Sequence, residues 1–306
     1  MIKKQLIINK NEYLDKTFCN YNNSDYELLL SRPDLEVVRC HFKQKHSGVI
    51  NGFNELDDNK AILVLTGQIK LDPYRQARIL TKDDLLSIDQ NKNAYLFQAL
   101  EDTTLLCIYT HPIYQILKNT VNKISDIMLQ LQHKDLSTTN HCFRVQQLSM
   151  KLACKLDVNY QLLSDLFYAA CYHDIGKITI PSDILLKPGP LSQEEKKIMR
   201  THPQASYRMI KDIFGQNVAV MALQHHEKLD GSGYPLGIKG HQIGLGARII
   251  AVADTFDAIV EGRPYSNKKS INEAIDILNS IKGTQLDATV VAALISILTE
   301  ENLYHK

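Results

Sequence analysis

Five histidines and two aspartates spread over residues 141–254 of this 306-residue sequence are the residues best suited to chemistry. Imidazole and carboxylate groups together suit first-row divalent ions such as Fe, Mn or Co. A single histidine is often a hydrogen-bonded core residue, but that explanation does not account for the whole set. The sequence therefore predicts a site for two divalent metal ions, Fe or Mn, with the ligands His141, His173, Asp174, His202, His225, His226 and Asp254.

The pair His173-Asp174 lies in an otherwise apolar stretch, FYAACYHDIGKI. A buried carboxylate without a partner is costly, so a metal ion or a cation is expected beside Asp174. Gly176 is expected to end the helix and to let Lys177 turn back toward the same place. On their own, these residues indicate a helical, metal-dependent hydrolase that acts on a phosphate ester.

Two adjacent histidines, His225 and His226, open the stretch HHEKLDGSGYP. Neighbouring residues on a helix point about 100° apart, so this pair does not form one apolar face and can serve two different metal ions. The glycines that follow allow a turn that brings Tyr234 to the mouth of the site. Glu227 and Asp230 are interpreted as partners that orient imidazole N–H groups.

The elements that must position these residues change character along the chain. The N-terminal part contains short β-like runs, including AILVLTGQIKL with a hairpin expected at Gly67. The order of these runs resembles a small β-barrel or a jelly roll of the cupin or cyclic-nucleotide-sensor type. The C-terminal part reads as amphipathic helices, one of them opened by a capping box at Ser192. The predicted fold is α+β with two domains: a β domain over 1–112, a connecting helix over 113–134 and an all-α bundle over 135–306.

The connecting helix is predicted from apolar residues that recur at intervals of four and three after Pro112. This stripe consists of Ile113, Leu117, Val121, Ile124, Met128 and Leu131. The stripe either faces the core of the protein or pairs with the same helix of a second copy. The second interpretation predicts a homodimer in which the helix passes a signal from the β domain.

The composition is that of an ordinary soluble protein, with 44% hydrophobic and 23% charged residues. The formal net charge of +1 predicts no polymeric nucleic-acid partner and no membrane surface. No segment is apolar enough for a signal peptide or a membrane span. The six cysteines are scattered without CxxC pairs, which is typical of reduced thiols in the cytoplasm.

Three long motifs, in this order and spacing, resemble the HD-GYP subgroup of the HD-domain phosphohydrolases. They are YHDIGKITIPSDILLKPGPLSQEEKKIMRTHP, HHEKLDGSGYPLGIKG and ARIIAVADTFDAIVEGRPY, and the resemblance covers about residues 126–306. It implies an HD-domain helical bundle in which the seven residues named above are metal ligands and Asp174 bridges the metals. It also implies that Asp174 and Lys177 are catalytic, with Lys177 beside the scissile phosphate. The substrate site would be completed by Tyr234, Arg263 and Asp257.

Two positions depart from the pattern of this subgroup. Some members carry a glutamate four residues before the first metal-binding histidine and bind a third metal, but Ser137 stands there in this sequence. Two metal ions are therefore expected. The residue after RPY is commonly basic, whereas it is Ser266 here. One phosphate contact is expected either to be weaker or to come from Lys268 or Lys269.

The resemblance implies hydrolysis of cyclic di-GMP to the linear dinucleotide pGpG, either as the final product or on the way to GMP. The β domain would regulate this activity in response to a small molecule or a protein. Two other functions stay open: a receptor that binds the dinucleotide with little or no turnover, and a hydrolase of a mixed cyclic dinucleotide. The complete set of seven ligand positions favours an active enzyme over a receptor.

Overall fold

The computed structural model describes residues 15–19, 24–50, 60–88, 95–262 and 268–304. The chain folds as two compact units, Met1–Asp126 and Ile127–Lys306. The first is built on antiparallel β-sheets and the second is helical, which confirms the expected β region followed by a helical domain. Within the described residues, no helix is both long and apolar enough to cross a membrane.

The first unit contains two antiparallel sheets. In chain order its described strands are β1 (Asp15–Cys19), β2 (Ser24–Arg32), β3 (Leu35–Phe42), β4 (Ser47–Ile50), β5 (Lys60–Thr66), β6 (Ile69–Leu71), β7 (Arg78–Leu80), β8 (Leu85–Ile88), β9 (Tyr95–Ala99) and β10 (Thr103–Tyr109). One sheet has the order β1-β2-β3-β10-β5-β8, and the other has the order β4-β9-β6-β7. Consecutive strands therefore often lie in different sheets, and the chain crosses between the layers several times.

Alternating burial explains why these segments form a two-layer structure. Strand β3, LEVVRCHF, alternates between part-exposed and buried residues, and β10 alternates in the same way. This period of two is the pattern of a strand with one face on a core. Inward side chains of both sheets form one cluster, in which the rings of Phe42 and Phe97 lie 5.0 Å apart. The unit is a sandwich of two sheets, and its closure into a barrel stays a prediction.

The hairpin expected at Gly67 is wrong. Strands β5 and β6 flank this glycine but belong to different sheets, so the chain crosses from one layer to the other there. Gly67 has a φ of +79°, and a Cβ on it would lie 2.6 Å from the carbonyl oxygen of Asp102. Glycine is needed at this crossing because it alone tolerates both the left-handed backbone and the close approach.

The helical part of the chain begins with α1 (Tyr114–Lys134), in which the division between the two units falls. The remaining helices are α2 (Leu136–Lys155), α3 (Tyr160–Tyr172), α4 (Ser182–Leu185), α5 (Gln193–Met199), α6 (His202–Phe214), α7 (Gln216–Gln224), α8 (Leu245–Val260), α9 (Ile271–Ile281) and α10 (Ala288–Glu300). Short 3-10 turns cover Ile175–Thr179 and Gly240–Gln242. The capping box predicted at Ser192 is confirmed, because Ser192 and Glu195 each accept the other's backbone N–H.

Helix α2 is at the centre of the second unit, where it packs against α3, α8 and α10. Helix α7 packs in turn against α3, α6 and α8. Each contributes an apolar face whose burial provides most of the driving force for this packing. Fully buried members of this core include Val145, Leu152, Leu163, Leu166, Ala219, Ile249 and Val252. The packing fixes the helix ends that carry the polar residues described below.

The apolar stripe of α1 is largely buried within a single chain. Ile113, Ile124, Met128 and Leu131 are buried, and the two other stripe positions are half-buried. Burial within the chain therefore accounts for these positions without a second copy. The homodimer stays a prediction.

Candidate metal centre

The seven residues expected to bind metal come from five parts of the second unit. Two of them lie within helices, His141 on α2 and Asp254 on α8. The remaining five lie at helix ends: His173 and Asp174 after α3, His202 at the start of α6, and His225 and His226 after α7. The structure brings all seven into one cluster. The five residues at helix ends meet because the packed helices converge there.

The cluster consists of two groups that share Asp174. In one group, ligand atoms of Asp174, His202, His225 and His226 all lie within 4.8 Å of one another. In the other group, His141, His173 and Asp174 meet the same limit. Asp254 lies between them, with its carboxylate oxygens 3.1 Å from His141 Nε2 and 3.7 Å from His226 Nδ1. The arrangement offers two neighbouring positions for a cation.

Backbone carbonyls at helix ends orient three of the imidazoles. Nδ1 of His173 donates to Ala170 O at 2.9 Å, Nδ1 of His202 donates to Met199 O at 2.8 Å, and Nδ1 of His225 donates to Ala222 O at 2.6 Å. Each of these carbonyls belongs to the last turn of a helix, where no intrahelical N–H is left to bind it. A carbonyl can only accept, so the proton of each neutral ring is on Nδ1 and the lone pair of Nε2 faces the cluster.

Four atoms that face the centre have no hydrogen-bond partner among the described residues. They are Nε2 of His173, His202 and His225 together with Oδ1 of Asp174, and all four are buried. Buried polar atoms of this kind are rare and costly unless a ligand satisfies them. Three unprotonated imidazole nitrogens and a carboxylate oxygen are the donor set that a first-row divalent ion prefers. The residues present therefore fit a metal centre.

Lys177 keeps the shared carboxylate of Asp174 ionised. Lys177 Nζ lies 2.6 Å from Asp174 Oδ2, and Asp174 is only 2% exposed. Burial opposes ionisation of Asp174, but the nearby charge of Lys177 is the largest effect in the other direction, and the pKa of this carboxyl is held well below its usual range. Asp174 is thus a carboxylate, ready to bind cations, before any metal arrives.

The imidazoles divide into two electrostatic classes. Burial, together with the charge of neighbouring histidines, lowers the pKa of His225 to about 3 and holds that of His226 well below its ordinary value. These rings are neutral, which is the form that binds metal. His141 differs: burial lowers its pKa, but hydrogen bonds to Asp254 and Asp257 outweigh burial and raise it to about 9. Asp254 and Asp257 therefore favour the protonated form of His141.

Gly176 is needed for packing. Helix α3 already ends at Tyr172, so the expectation that Gly176 ends the helix is wrong, whereas Lys177 turns back toward Asp174 as expected. A 3-10 turn runs through Gly176 over Ile175–Thr179, and its backbone N–H donates to Ser206 Oγ at 2.9 Å. A Cβ on Gly176 would lie 2.1 Å from the carbonyl oxygen of His202 and 2.5 Å from Ser206 N. The glycine lets the segment after Asp174 lie directly against the start of α6, so two ligand-bearing segments meet.

The turn after the histidine pair brings Tyr234 to the centre, as expected. The Tyr234 ring lies 4.8 Å from the ring of His226, and the guanidinium carbon of Arg200 lies 5.2 Å from the centre of the same tyrosine ring. Gly233 packs against the backbone of the preceding residues, because a Cβ there would lie 2.4 Å from Lys228 N and 2.6 Å from His226 O. Tyr234 N donates to His226 O at 3.2 Å, which ties the turn to the histidine that it covers.

Glu227 and Asp230 do not orient imidazoles, contrary to expectation. Glu227 Oε1 accepts from the backbone N–H of Leu236 at 2.6 Å and from that of Gly237 at 3.2 Å. Asp230 instead caps its own turn, accepting from the backbone N–H and hydroxyl of Ser232. Both carboxylates hold the shape of the glycine-rich turn, so they position Tyr234 and not the metal ligands.

Asp257 is occupied by protein partners. Its Oδ2 lies 2.7 Å from His141 Nδ1, and both of its oxygens bind the guanidinium of Arg144. Burial opposes ionisation of Asp257, but His141 and Arg144 hold its pKa below the usual value. Arg144, which holds Asp257, was not predicted from the sequence. The signal was available, because Arg144 follows His141 by three residues and so lies one helical turn along the same face.

Four other expected positions fall outside the centre or outside the described residues. Arg263 and Ser266 lie in 263–267, which the structure does not describe. Lys268 forms an exposed ion pair with Glu261 at 2.9 Å. Ser137 belongs to the start of α2, where its hydroxyl and backbone N–H both donate to Asp135. Arg200, near Tyr234, is a second basic residue that was not predicted. Its position two residues before His202 is the sequence feature that could have identified it.

Fold and site together define a helical domain built around a candidate binuclear metal centre. A family model for the HD domain matches residues 120–290. A cyclic di-GMP phosphodiesterase of Thermotoga maritima is 36% identical over 213 residues, which are 68% of this chain and 58% of that protein. The cyclic di-GMP phosphodiesterase response regulator RpfG of Xanthomonas campestris is 33% identical over 69% of this chain and 56% of its own. The 3'3'-cGAMP-specific phosphodiesterase 1 of Vibrio cholerae is 38% identical over 53% of this chain and 38% of its own.

The chain belongs to the HD-domain family, in its HD-GYP subgroup. It spans somewhat more than half the length of the first two relatives. Two solved structures are similar in part. A cyclic GMP-AMP specific phosphodiesterase of Vibrio cholerae has 19% identity and a TM-score of 0.43 over 53% of this chain and 44% of its own. An RmlC-like cupin of Shewanella frigidimarina has 11% identity and a TM-score of 0.30 over 37% of this chain and 96% of its own.

Proposed function

We propose that the protein is a phosphodiesterase that uses two divalent metal ions, Fe or Mn, to hydrolyse cyclic di-GMP to linear pGpG, with or without further hydrolysis to GMP. The observation that carries the proposal is the position of Asp174, whose carboxylate belongs to both groups of candidate ligands. A shared carboxylate is suited to hold two cations close together, as two-metal hydrolases require. The relatives named as cyclic di-GMP phosphodiesterases support the substrate.

The proposed number of metal ions is two. Among the described residues, the groups with three or more suitable ligands are the two that share Asp174. Ser137, which stands where a glutamate would serve a third metal, is hydrogen-bonded to Asp135 at the start of α2. Both observations support two ions. The HD-domain family as a whole supports a divalent metal, and the choice of Fe or Mn rests on the mixture of imidazole and carboxylate ligands.

When bound, two such ions supply an activated water and neutralise charge on a phosphodiester. The protein's own groups have separate tasks. Lys177, held near the centre by Asp174, would offset negative charge on a non-bridging phosphate oxygen. Tyr234 offers a ring to a nucleobase and a hydroxyl to a phosphate. Arg263, by its place in the RPY motif, would make a two-pronged contact with phosphate that a lysine cannot copy.

A mixed cyclic dinucleotide is the second candidate substrate, because the match to the 3'3'-cGAMP-specific relative has a similar level of identity. The test is to purify the protein with Mn or Fe under low oxygen and to follow cyclic di-GMP and 3'3'-cGAMP separately by chromatography. We expect cyclic di-GMP to yield pGpG faster than 3'3'-cGAMP is cleaved. A metal-loaded protein that binds both dinucleotides and leaves both intact would instead be a receptor. A metal content near three per chain would contradict the two-metal proposal.

Gly233→Ala is expected to weaken substrate binding without removing metal. The added Cβ would collide with backbone atoms of Glu227 and Lys228, so the turn and Tyr234 must move away from the centre. Displacements of about 1 Å can cost up to about a hundredfold in activity, and we expect KM to rise about tenfold or more. The control is Gly244→Ala, where the nearest atom lies 3.6 Å from the new Cβ. Steady-state kinetics and metal analysis check the prediction, and a loss of metal in Gly233→Ala would contradict it.

We further propose that the β unit regulates the activity in response to a small molecule or a protein, and that the protein is a homodimer through α1. Hydrogen bonds between β3 and the start of α1 support this regulation. Glu36 Oε2 accepts from the backbone N–H of Ile113 at 2.6 Å and from that of Tyr114 at 2.5 Å. The carboxylate thus fastens the start of α1 to the β-sheet. Light scattering measures the mass in solution, and a monomer at high protein concentration would contradict the homodimer.

A further inference from the structure

Four candidate histidine ligands have a described hydrogen bond at Nδ1, and among these four His141 differs because its partner is a side chain. His173, His202 and His225 use carbonyls at helix ends, but His141 is the sixth residue of the 20-residue helix α2. Carbonyls inside a helix already accept the N–H four residues later, so none is available to this imidazole. The partner of His141 Nδ1 is instead Oδ2 of Asp257 on α8, at 2.7 Å.

A carboxylate orients an imidazole well only if the carboxylate itself is fixed. Arg144 fixes Asp257 with two parallel hydrogen bonds, from Nε to Oδ1 at 2.6 Å and from Nη2 to Oδ2 at 2.8 Å. This two-pronged geometry is specific to arginine, and it locks the plane of the carboxylate. His141 Nε2 then points at Asp254 Oδ1, 3.1 Å away, and lies 3.8 Å from Asp174 Oδ2.

We propose that Arg144 is a positioning residue for the metal centre: through Asp257 it fixes His141, and so it sets the affinity of the metal position formed by His141, His173 and Asp174. Both Asp257 oxygens are hydrogen-bonded within the protein, which favours this orienting role over a substrate contact. The inference rests on the proposed metal centre but does not depend on which dinucleotide is hydrolysed.

The test is a titration of the metal-free full chain with Mn²⁺ or Co²⁺, followed by calorimetry and, for Co²⁺, by visible absorption. Arg144→Gln should weaken one of the two binding steps about 10- to 100-fold and leave the other within about twofold. Arg144→Lys keeps the positive charge but loses the two-pronged hydrogen bonding. Its metal affinity at the weakened step should therefore lie between that of wild type and that of Arg144→Gln. His202→Ala removes a ligand of the other group. In that background, Arg144→Gln should weaken metal binding at the position formed by His141, His173 and Asp174 by the same factor. Arg208→Gln, an exposed arginine on α6, is the matched control.

A double-mutant comparison separates positioning from a general structural effect. If Arg144 acts through Asp257, then Arg144→Gln added to Asp257→Ala should change metal affinity by less than about twofold beyond Asp257→Ala alone. The proposal is overturned if folded Arg144→Gln or Arg144→Lys binds both metals like wild type, or if both steps weaken equally. Because no dinucleotide is used, failure to hydrolyse one leaves this test intact. A wild-type chain that binds no metal would instead refute the proposed function.

Discussion

Asp174→Asn is expected to remove both metal ions and to lower hydrolysis of cyclic di-GMP by about a thousandfold or more. Asparagine keeps the shape of the side chain, but it loses the charge and one of the two acceptor oxygens that the two ligand groups share. The variant also leaves Lys177 Nζ, 2.6 Å away, without its carboxylate partner. Metal ions supply several kcal/mol of transition-state stabilisation, and a thousandfold loss corresponds to about 4 kcal/mol.

The measurement combines metal analysis of the purified variant with product formation under saturating Mn²⁺. Asp212→Asn, an exposed aspartate on α6, is the matched control and should keep both metals and full activity. Circular dichroism of both variants should match the wild type, because the helices around the centre are held by apolar packing. A variant that retains two metal ions per chain, or activity within about tenfold of wild type, would show that Asp174 does not bridge them.

The composition of the centre could be predicted from the sequence because its residues occur in long, ordered motifs. His173-Asp174 lies in an apolar stretch and His225-His226 is an adjacent pair that does not form one apolar face, so both pairs demand partners wherever the fold places them. The helical character of the second unit also followed from periodicity and caps, as the capping box at Ser192 illustrates. What local sequence could not reveal is which segments touch, since that depends on packing between distant elements.

Two corrections and one residue that was not predicted have this same origin. A glycine between two apolar runs is typical of a hairpin, but at Gly67 the two strands enter different sheets, which is decided by long-range pairing. Glu227 stands beside the histidines in sequence, yet its carboxylate reaches backbone N–H groups nine and ten residues later. Arg144 and Asp257 are 113 residues apart and meet only because α2 packs on α8. Spacing predicts the ligands of a centre better than it predicts the residues that support them.

Gly176→Ala is expected to destabilise the helical unit and to weaken metal binding together, because this glycine lies where two ligand-bearing segments touch. Its added Cβ would lie 2.1 Å from the carbonyl oxygen of His202, 2.5 Å from Ser206 N and 2.8 Å from Ser206 Oγ. Two of these atoms belong to the backbone of α6, so no side-chain rotation relieves the contact. The start of α6 must move away from the 3-10 turn, and the hydrogen bond from Gly176 N to Ser206 Oγ is lost.

Overpacking of this kind typically costs about 1–3 kcal/mol, and we expect Gly176→Ala to lower the free energy of unfolding by about 3 kcal/mol. Because His202 moves with α6, its Nε2 leaves the position 3.1 Å from Asp174 Oδ1, and metal affinity should fall as well. Gly189→Ala is the control, since no atom lies within 4 Å of its new Cβ. Its stability should stay within about 1 kcal/mol of wild type. Denaturant unfolding of the metal-free proteins and metal titration measure the two effects, and normal metal affinity in a destabilised Gly176→Ala would mean that the contact supports the fold alone.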